Sequence, residues 1–189
     1  MTFPVPQRPT PEQIQALAAE LASADPALVL LGPLEQGSTP ALTAELQRLS
    51  RDYFDYSPVL VPLLEGRHAD LVVKAAALEQ VVLVAGACAR HGVPLTLRGA
   101  GTGNYGQCVP MEGGVVLDLT GLNRLRSLDP ATGVVEVEAG CGMAALDQQL
   151  APHGRAQRLA PSTYRSATVG GFIAGGSGGI GSLRWGFLR

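Results

Sequence analysis

Glycine is distributed very unevenly along this chain of 189 residues. Of its 24 glycines, 5 lie in residues 1–98 and 19 lie in residues 99–189. Glycine loses more backbone freedom on folding than any other residue, so clusters of it indicate left-handed turns or a backbone that a ligand approaches closely. Two clusters dominate the second half, namely Gly99, Gly101, Gly103 and Gly106, and then Gly170, Gly171, Gly175, Gly176, Gly178, Gly179 and Gly181.

Both clusters are also compatible with flexible linkers, but their surroundings favour ordered loops. Linkers combine glycine with serine, glutamate and lysine, whereas apolar residues surround both clusters here. The whole chain is 46% hydrophobic and only 16% charged, which excludes a disordered chain. We therefore expect two ordered glycine loops inside a folded domain.

Charge and patterning exclude several classes of protein. The net charge is −2 and the pI is about 5.9, so there is no basic surface for nucleic acid. Apolar runs such as residues 81–85 are too short for a transmembrane segment, and the N-terminus lacks the pattern of a signal peptide. Three scattered cysteines predict neither a disulfide framework nor a zinc site. We expect a cytoplasmic protein without metal, with peripheral membrane association left open.

The N-terminal region predicts two helices and an arm. Residues 11–24 carry apolar side chains at helical spacing, with Thr10 as a cap and Pro11 in the first turn. Residues 40–49 repeat this pattern less strongly. Residues 51–58 hold three of the eight Phe and Tyr residues, and we expect them to form an extended arm that packs on the body of the protein.

Strands and a helix alternate in the middle of the chain. Residues 71–73, 94–98 and 115–119 are short apolar runs typical of strands, and residues 78–91 have helical spacing. Gly92 directly follows that helix and suits a left-handed cap. Strand, helix and strand in this order predict a parallel pair with a right-handed crossover.

A hairpin and a short helix follow. Residues 125–128 and 134–139 flank a turn of the Asp-Pro-Ala-Thr-Gly type, which predicts a hairpin. Glu136 and Glu138 alternate with apolar residues, so we expect both of them on a face in contact with water. Residues 143–150 predict a short helix, and no closing helix or strand follows the second glycine cluster.

Two literal motif matches lack the context that their chemistry needs. Residues 101–106 match G-x-G-x-x-G, but residues 107–114 contain proline and glycine and cannot form the helix that a classical dinucleotide fold places there. Residues 175–179 match G-x-S-x-G, but no histidine follows His153, which excludes a hydrolase triad in the usual order. No P-loop sequence is present.

Other polar residues leave alternatives open. Cys88 and His91 have a spacing compatible with a metal pair on a helix, but a histidine in the last turn is more often a partner of the helix dipole. Asp118 at the end of a strand is equally compatible with a ribose ligand and with a structural carboxylate.

The remaining candidate for an anion site is therefore a glycine loop, and not the N-terminus of a helix. Successive backbone N–H groups in tight turns form a concave site for phosphate groups, and residues 99–106 have this character. Arg98 at the start of the loop adds either a fixed positive charge to that site or a surface ion pair. Because backbone contacts act locally, the acidic pI does not oppose this interpretation.

Four motifs in order resemble a known family, the FAD-linked oxidases with a PCMH-type (vanillyl-alcohol-oxidase-like) FAD-binding domain. Residues 98–106 resemble its pyrophosphate loop, and residues 114–123 and 135–140 resemble the two strands that follow. Residues 168–178 resemble its second flavin loop, and residues 184–186 resemble the end of that segment. The branch of the glycolate oxidase subunit and D-lactate dehydrogenase is the most similar.

The resemblance implies an α+β PCMH-type FAD-binding fold that is incomplete, comprising the first subdomain and the start of the second. Residues 1–56 would be a helical N-terminal extension. Residues 57–189 would be the N-terminal part of the FAD-binding domain, truncated before the substrate domain.

The resemblance also implies the binding residues, with FAD between two subdomains. Thr102 occupies the place where some members carry the histidine that tethers flavin, so we expect FAD to be non-covalent. The pyrophosphate loop would comprise Arg98, Gly99, Ala100, Gly101, Thr102, Gly103, Asn104, Tyr105 and Gly106. The ribityl and flavin side would be lined by Pro161, Ser162, Thr168, Gly170, Gly171, Ala174, Gly175 and Gly178.

The implied chemistry is hydride transfer from a 2-hydroxy acid or a similar alcohol to flavin N5. The small-molecule substrate and the catalytic residues would belong to the missing domain, so we expect the chain alone to be inactive. One alternative is a non-catalytic FAD- or nucleotide-binding module that a partner chain or self-association completes. Cell-wall precursor reductases and molybdenum hydroxylase flavin subunits, which share the fold, are a further alternative.

Overall fold

The computed structural model describes residues 7–33, 38–176 and 178–187. The chain divides into two compact units, which we call unit 1 (Met1–Arg98 and Gly103–Asp118) and unit 2 (Gly99–Thr102 and Leu119–Arg189). Both units combine helices and strands, as the α+β prediction requires. No helix among the described residues has the length and apolar character needed to cross a membrane.

Unit 1 is built around a four-stranded sheet. Its elements are α1 (Pro11–Ala24), β1 (Val29–Leu31), α2 (Pro40–Leu49), α3 (Val61–Leu64), β2 (Leu71–Lys74), α4 (Leu78–His91), β3 (Leu95–Arg98) and β4 (Val115–Asp118). The strand order is β1-β2-β4-β3, with β1 antiparallel to β2 and the other neighbours parallel. The sequence did not predict β1, because three residues are too few to show a period.

The prediction that β2 and β3 form a parallel pair is wrong in one respect. Both run parallel to β4, but β4 lies between them and makes hydrogen bonds to each. All four residues of β4 are buried, whereas Leu97 in β3 is 55% exposed. The strand with three consecutive apolar residues, 115–117, occupies the interior of the sheet because only there are both of its faces covered.

The two long helices of unit 1 begin and end as predicted. Thr10 Oγ1 accepts a hydrogen bond from the Gln13 N–H, and the Gln13 side chain accepts one from the Thr10 N–H, which together form a capping box at α1. Gly92 at the end of α4 has φ of 63°, as a left-handed cap requires.

The aromatic segment is not the extended arm that we expected. Phe54–Tyr56 form one turn of 3₁₀ helix, in which Phe54 is buried while Tyr53 and Tyr56 are 46% and 79% exposed. The turn forms because Asp52 Oδ1 accepts a hydrogen bond from the Phe54 N–H at 3.0 Å, as aspartates do in short turns. Only one of its three aromatic rings therefore packs into the core.

Unit 2 contains the predicted hairpin and helix together with two further short helices, so the prediction that no helix follows the second glycine cluster is wrong. The strands are β5 (Leu125–Leu128) and β6 (Val135–Val137), and the helices are α5 (Met143–Leu150), α6 (Val169–Ala174) and α7 (Ser182–Trp185). Its core consists of Cys141, Met143, Leu146, Leu150, Leu159, Ala167, Val169 and Phe172.

One face of the hairpin differs from the prediction. Glu136 is exposed as expected, but Glu138 is 7% exposed, and its carboxylate pairs with Arg124 at 3.0 Å and Arg126 at 2.5 Å. Hydrogen bonds from Arg124 hold the pKa of Glu138 down to about 2. The positive charges of these two arginines thus offset the cost of burying a carboxylate that the alternating pattern had predicted to be exposed to water.

Candidate functional site

The first glycine loop follows β3 and leaves backbone donors unused. Among the described residues, the N–H groups of five consecutive residues, 100–104, have no hydrogen-bond partner. Residues 100–103 are nevertheless half-buried. Nearly all buried N–H groups in proteins are paired, so a half-buried run of unpaired ones indicates a missing acceptor. Phosphate oxygens are acceptors of this kind.

The two glycine clusters meet within unit 2. A Cβ added to Gly99 would overlap Oγ1 of Thr168, so only glycine fits there without a shift. Thr168 is buried, caps α6 and accepts a hydrogen bond from the Gly171 N–H at 3.2 Å. The structure therefore brings the start of the first cluster against the start of the second, although 69 residues separate Gly99 from Thr168 in the sequence.

The second half of the first loop belongs to unit 1. Gly106 has φ of 77°, and a Cβ there would overlap the Leu64 side chain. The carbonyl oxygen of Gly103 accepts a hydrogen bond from the Tyr53 N–H at 2.8 Å. Residues 107–114 form turns and no helix, so the exclusion of a classical dinucleotide fold agrees with the structure.

Arg98 is not on the surface. Its residue is 5% exposed, and its guanidinium donates to the Arg51 carbonyl oxygen at 2.5 Å and to Cys108 Sγ at 3.2 Å. The alternative of a surface ion pair is therefore wrong. A buried guanidinium at the first residue of the loop supplies a fixed positive charge inside unit 1, where the local dielectric constant is low.

Asp52 is a buried residue near the first loop that the sequence analysis did not identify. It is 6% exposed, and its Oδ2 has no hydrogen-bond partner among the described residues. Burial raises the pKa of Asp52 above its ordinary value, while the N–H groups of Phe54, Gly106 and Gln107 and the charge of Arg98 oppose that rise. The sequence around Asp52 contains no pattern that would predict a contact with a loop about 50 residues further along the chain.

The second cluster differs from the first because the N–H groups of its first four glycines, Gly170, Gly171, Gly175 and Gly176, are already paired. The Gly170 N–H donates to the Ala139 carbonyl oxygen at 2.8 Å, and the Gly171 N–H donates to Thr168. Close packing accounts for Gly170, since a Cβ there would lie 2.7 Å from Ala139 Cβ. Gly179 and Gly181 are likewise required by neighbouring carbonyl oxygens in unit 2. Backbone packing, rather than a ligand, therefore explains part of this cluster.

The remaining candidates of the second cluster lie in a short stretch of unit 2. Pro161 and Ser162 follow the bridge between Ala160 and Ile180. Gly170, Gly171 and Ala174 are part of α6, with Gly175 at its end and Gly178 beyond it. The serine of the G-x-S-x-G match, Ser177, lies outside the described residues.

Histidine and cysteine residues show ordinary structural contacts. His91 Nε2 lies 2.7 Å from Glu20 Oε2, and Arg90 pairs with the same carboxylate. Cys88 is buried, which raises the pKa of its thiol to about 11. Within the part of the chain that the structure describes, no three His, Cys, Asp or Glu residues are grouped as metal ligands.

Unit 2 also has an open apolar groove of about 630 Å³. Side chains of α5, β6 and α6 line it, and Trp185 lies at its rim with the guanidinium carbons of Arg158 and Arg184 at 4.4 and 4.7 Å from its ring. Ile180, Leu183 and Phe187 nearby in sequence are largely exposed. Apolar surface of this kind usually marks a place where other protein packs.

Comparison with known proteins identifies the family. The family model described as FAD binding domain matches residues 69–189, which is more than half of the chain. The glycolate oxidase subunit GlcD of Escherichia coli (strain K12) is 34% identical over 116 residues, which cover 61% of this chain and 23% of that protein. The D-lactate dehydrogenase of Archaeoglobus fulgidus is 34% identical over 138 residues, covering 72% and 30% respectively.

Solved structures show the same fold. An alkyldihydroxyacetonephosphate synthase superposes with a TM-score of 0.73 at 20% identity, over 97% of this chain and 35% of that one. The chain thus spans less than a third of the two relatives and about a third of the solved structure. On the family match, the relatives and the fold together, the chain belongs to the FAD binding domain family of FAD-linked oxidoreductases, with a PCMH-type α+β fold.

Proposed function

We propose that this chain is the FAD-binding part of a flavin-dependent dehydrogenase or oxidase that acts on a 2-hydroxy acid or a similar alcohol. The observation that carries the proposal is the run of unpaired amides at residues 100–104. The names of the relatives, a glycolate oxidase subunit and a D-lactate dehydrogenase, support this class of substrate.

The binding residues divide between the two loops. Residues 98–106 donate backbone N–H groups to the diphosphate of FAD, and the buried Arg98 adds positive charge. The second set, which includes Thr168, Gly175 and Gly178, contacts the ribityl chain and the flavin. FAD is bound without a covalent bond, because Thr102 has no ring nitrogen for a flavin link.

The chain contributes positioning rather than a reacting group. Bound FAD would supply the hydride acceptor, flavin N5, and the protein would fix its place. The first loop fits a diphosphate because the N–H groups of residues 100–104 lack acceptors among the described residues. Residues that bind the substrate or take its proton would belong to protein beyond the matched segment, so the chain alone turns over no substrate.

The test is binding of FAD to the purified chain. We expect flavin fluorescence to be quenched on addition of the protein, and the visible absorbance of FAD to elute with it in gel filtration. Gly101→Val is the control, because Gly101 has φ of 69°, which a β-branched residue does not adopt without strain. If the wild-type chain and this variant show the same weak binding, the proposal is wrong.

A second candidate is a non-catalytic FAD-binding module that partner protein completes. The exposed apolar groove of unit 2 and the small share of the relatives that the chain spans favour it. An anaerobic experiment distinguishes the two candidate functions. The chain is first combined with FAD and with the remaining domain of a relative, and a 2-hydroxy acid is then added. Bleaching of the flavin absorbance supports the oxidoreductase, and an unchanged spectrum supports the module.

A further inference from the structure

A segment that precedes the matched family region contacts the first glycine loop within unit 1. The Tyr53 N–H donates to the Gly103 carbonyl oxygen at 2.8 Å, and the Arg51 carbonyl oxygen accepts from the Arg98 guanidinium at 2.5 Å. Between them, Asp52 Oδ2 lies so near Gly103 that a Cβ there would be 3.2 Å away. Three consecutive residues, 51–53, thus contact the loop at its first residue, Arg98, and at Gly103.

Asp52 is placed to act on the backbone of the loop rather than on solvent. Its Oδ1 is used by the Phe54 N–H, which leaves the buried Oδ2 without a hydrogen bond among the described residues. The N–H groups of Phe54, Gly106 and Gln107 lower the pKa of this carboxyl, against the rise that burial causes. A buried acceptor that attracts nearby donors stabilises the segment to which those donors belong.

Some polar backbone groups of residues 103–107 are hydrogen-bonded within the chain, and others are not. The Gly103 carbonyl oxygen turns toward Tyr53, and the Tyr105 N–H is taken by Gln107 Oε1 at 3.1 Å. The N–H groups of Gly103 and Asn104 remain unpaired. A loop that binds an anion must turn its carbonyl oxygens away from that anion, because their partial negative charge repels it.

We propose that residues 51–53 are a positioning element of the dinucleotide site, in which Asp52 and Tyr53 hold residues 103–107 in the conformation that leaves the amides of Gly103 and Asn104 free for phosphate. This inference rests on the proposed function, because phosphate is the ligand that those amides would receive from FAD. The buried Arg98 guanidinium, which donates to the Arg51 carbonyl oxygen, offsets part of the cost of a carboxylate at Asp52 beside an anion site.

The test compares Asp52→Asn with the control Asp55→Asn, which changes an exposed aspartate three residues further along the same segment. In Asp52→Asn, one carboxylate oxygen becomes an NH₂ group, so one of the N–H groups around the side chain faces a donor. We expect hydrogen exchange at residues 103–107 to be at least about tenfold faster in the FAD-free variant, with β2 and β4 unchanged. FAD affinity should fall about tenfold, and Asp55→Asn should match the wild type in both.

Three outcomes separate this inference from the proposed function. If the wild type binds FAD and Asp52→Asn matches it in loop exchange and affinity, the positioning role is wrong while the proposed function stands. If the wild type binds no FAD, the proposed function fails, and faster loop exchange in the variant still shows that Asp52 holds the loop. If exchange rises equally in the loop and in both strands, Asp52 serves general stability and the inference is overturned.

A measurement on the wild type alone decides the case in which Asp52→Asn does not fold. Without FAD, we expect the amides of Tyr53 and Phe54, which donate to Gly103 and Asp52, to be protected from exchange and those of Gly103 and Asn104 to be unprotected. Addition of FAD should protect the second pair. Unprotected amides at Tyr53 and Phe54 would overturn the inference.

Discussion

Gly99→Ala tests the contact by which the structure joins the two glycine clusters. A methyl group at this position overlaps Thr168 Oγ1, while Thr168 Cβ and Cγ2 would lie at ordinary distances of 3.5 and 3.7 Å. To make room, the Thr168 side chain must rotate and lose its hydrogen bond from the Gly171 N–H. Loss of an N-cap costs about 1 kcal/mol and overpacking costs about 1–3 kcal/mol, so we expect about 2–4 kcal/mol in total.

The double variant makes the prediction specific. Thr168→Ala removes Oγ1, so it should cost about 1 kcal/mol alone through the lost cap. In that background, Gly99→Ala should cost less than about 1 kcal/mol, because the remaining contact distances are ordinary. The two substitutions are then strongly non-additive, as expected for residues in direct contact.

The assay is urea unfolding followed by tryptophan fluorescence. The chain has one tryptophan, Trp185, and it lies in unit 2 with both Gly99 and Thr168. With a slope of about 2 kcal/mol per molar urea, Gly99→Ala should lower the midpoint by about 1–2 M. A midpoint equal to that of the wild type, or additive costs in the double variant, would refute the packing argument.

Three further predictions follow from individual contacts. Gly86→Ala in α4 should raise the unfolding free energy by about 0.5–1 kcal/mol, measured by urea titration, because its Cβ meets only the flexible end of Arg90. Glu138→Gln should make the fall in stability between about pH 4.5 and pH 2 smaller, while the share due to Glu45, whose pKa is also held at about 2, remains. The pKa of Glu138 is lower in the folded protein than in the unfolded chain. The carboxylate therefore stabilises the fold at pH values above its unfolded pKa, and this stabilisation is lost as the pH falls through about 2. Thermal melts over a range of pH would detect the loss. Phe54→Ala should cost about 3–5 kcal/mol, since Phe54 is 1% exposed, whereas Tyr56→Ala, at 79% exposed, should cost under about 0.5 kcal/mol in the same titration.

Prediction succeeded where one short stretch of sequence contains all the partners of an interaction. The capping box of α1 involves Thr10 and Gln13 alone, and the turn between β5 and β6 is made by Asp129, which accepts hydrogen bonds from Ala131 and Gly133. Such signals are complete within a few residues and do not depend on the rest of the fold.

The candidate site was predictable only in its glycines. Their clustering indicated two loops, and the structure brings Gly99 and Thr168 together as neighbours. The sequence did not distinguish the free amides of residues 100–104 from the paired amides of Gly170 and Gly171. Pairing depends on which carbonyl or hydroxyl oxygen lies opposite each N–H, and that information resides in residues far away along the chain.

The environments of Asp52 and Glu138 could not be predicted from the sequence. From the local sequence pattern alone, a carboxylate is predicted to be exposed to water, because its burial without a partner is costly. Glu138 is buried and paired with Arg124 and Arg126, and the charge of Arg98 offsets part of the cost of burying Asp52, so in both cases the partners are ones that the local pattern does not identify. The order of residues settled the four longest helices (α1, α2, α4 and α5), the hairpin turn and the glycine loops, since these depend on backbone freedom and on sequence neighbours. Long-range packing alone decided the order of the strands and which amides, carboxylates and guanidinium groups are paired, since only the folded chain brings their partners within reach.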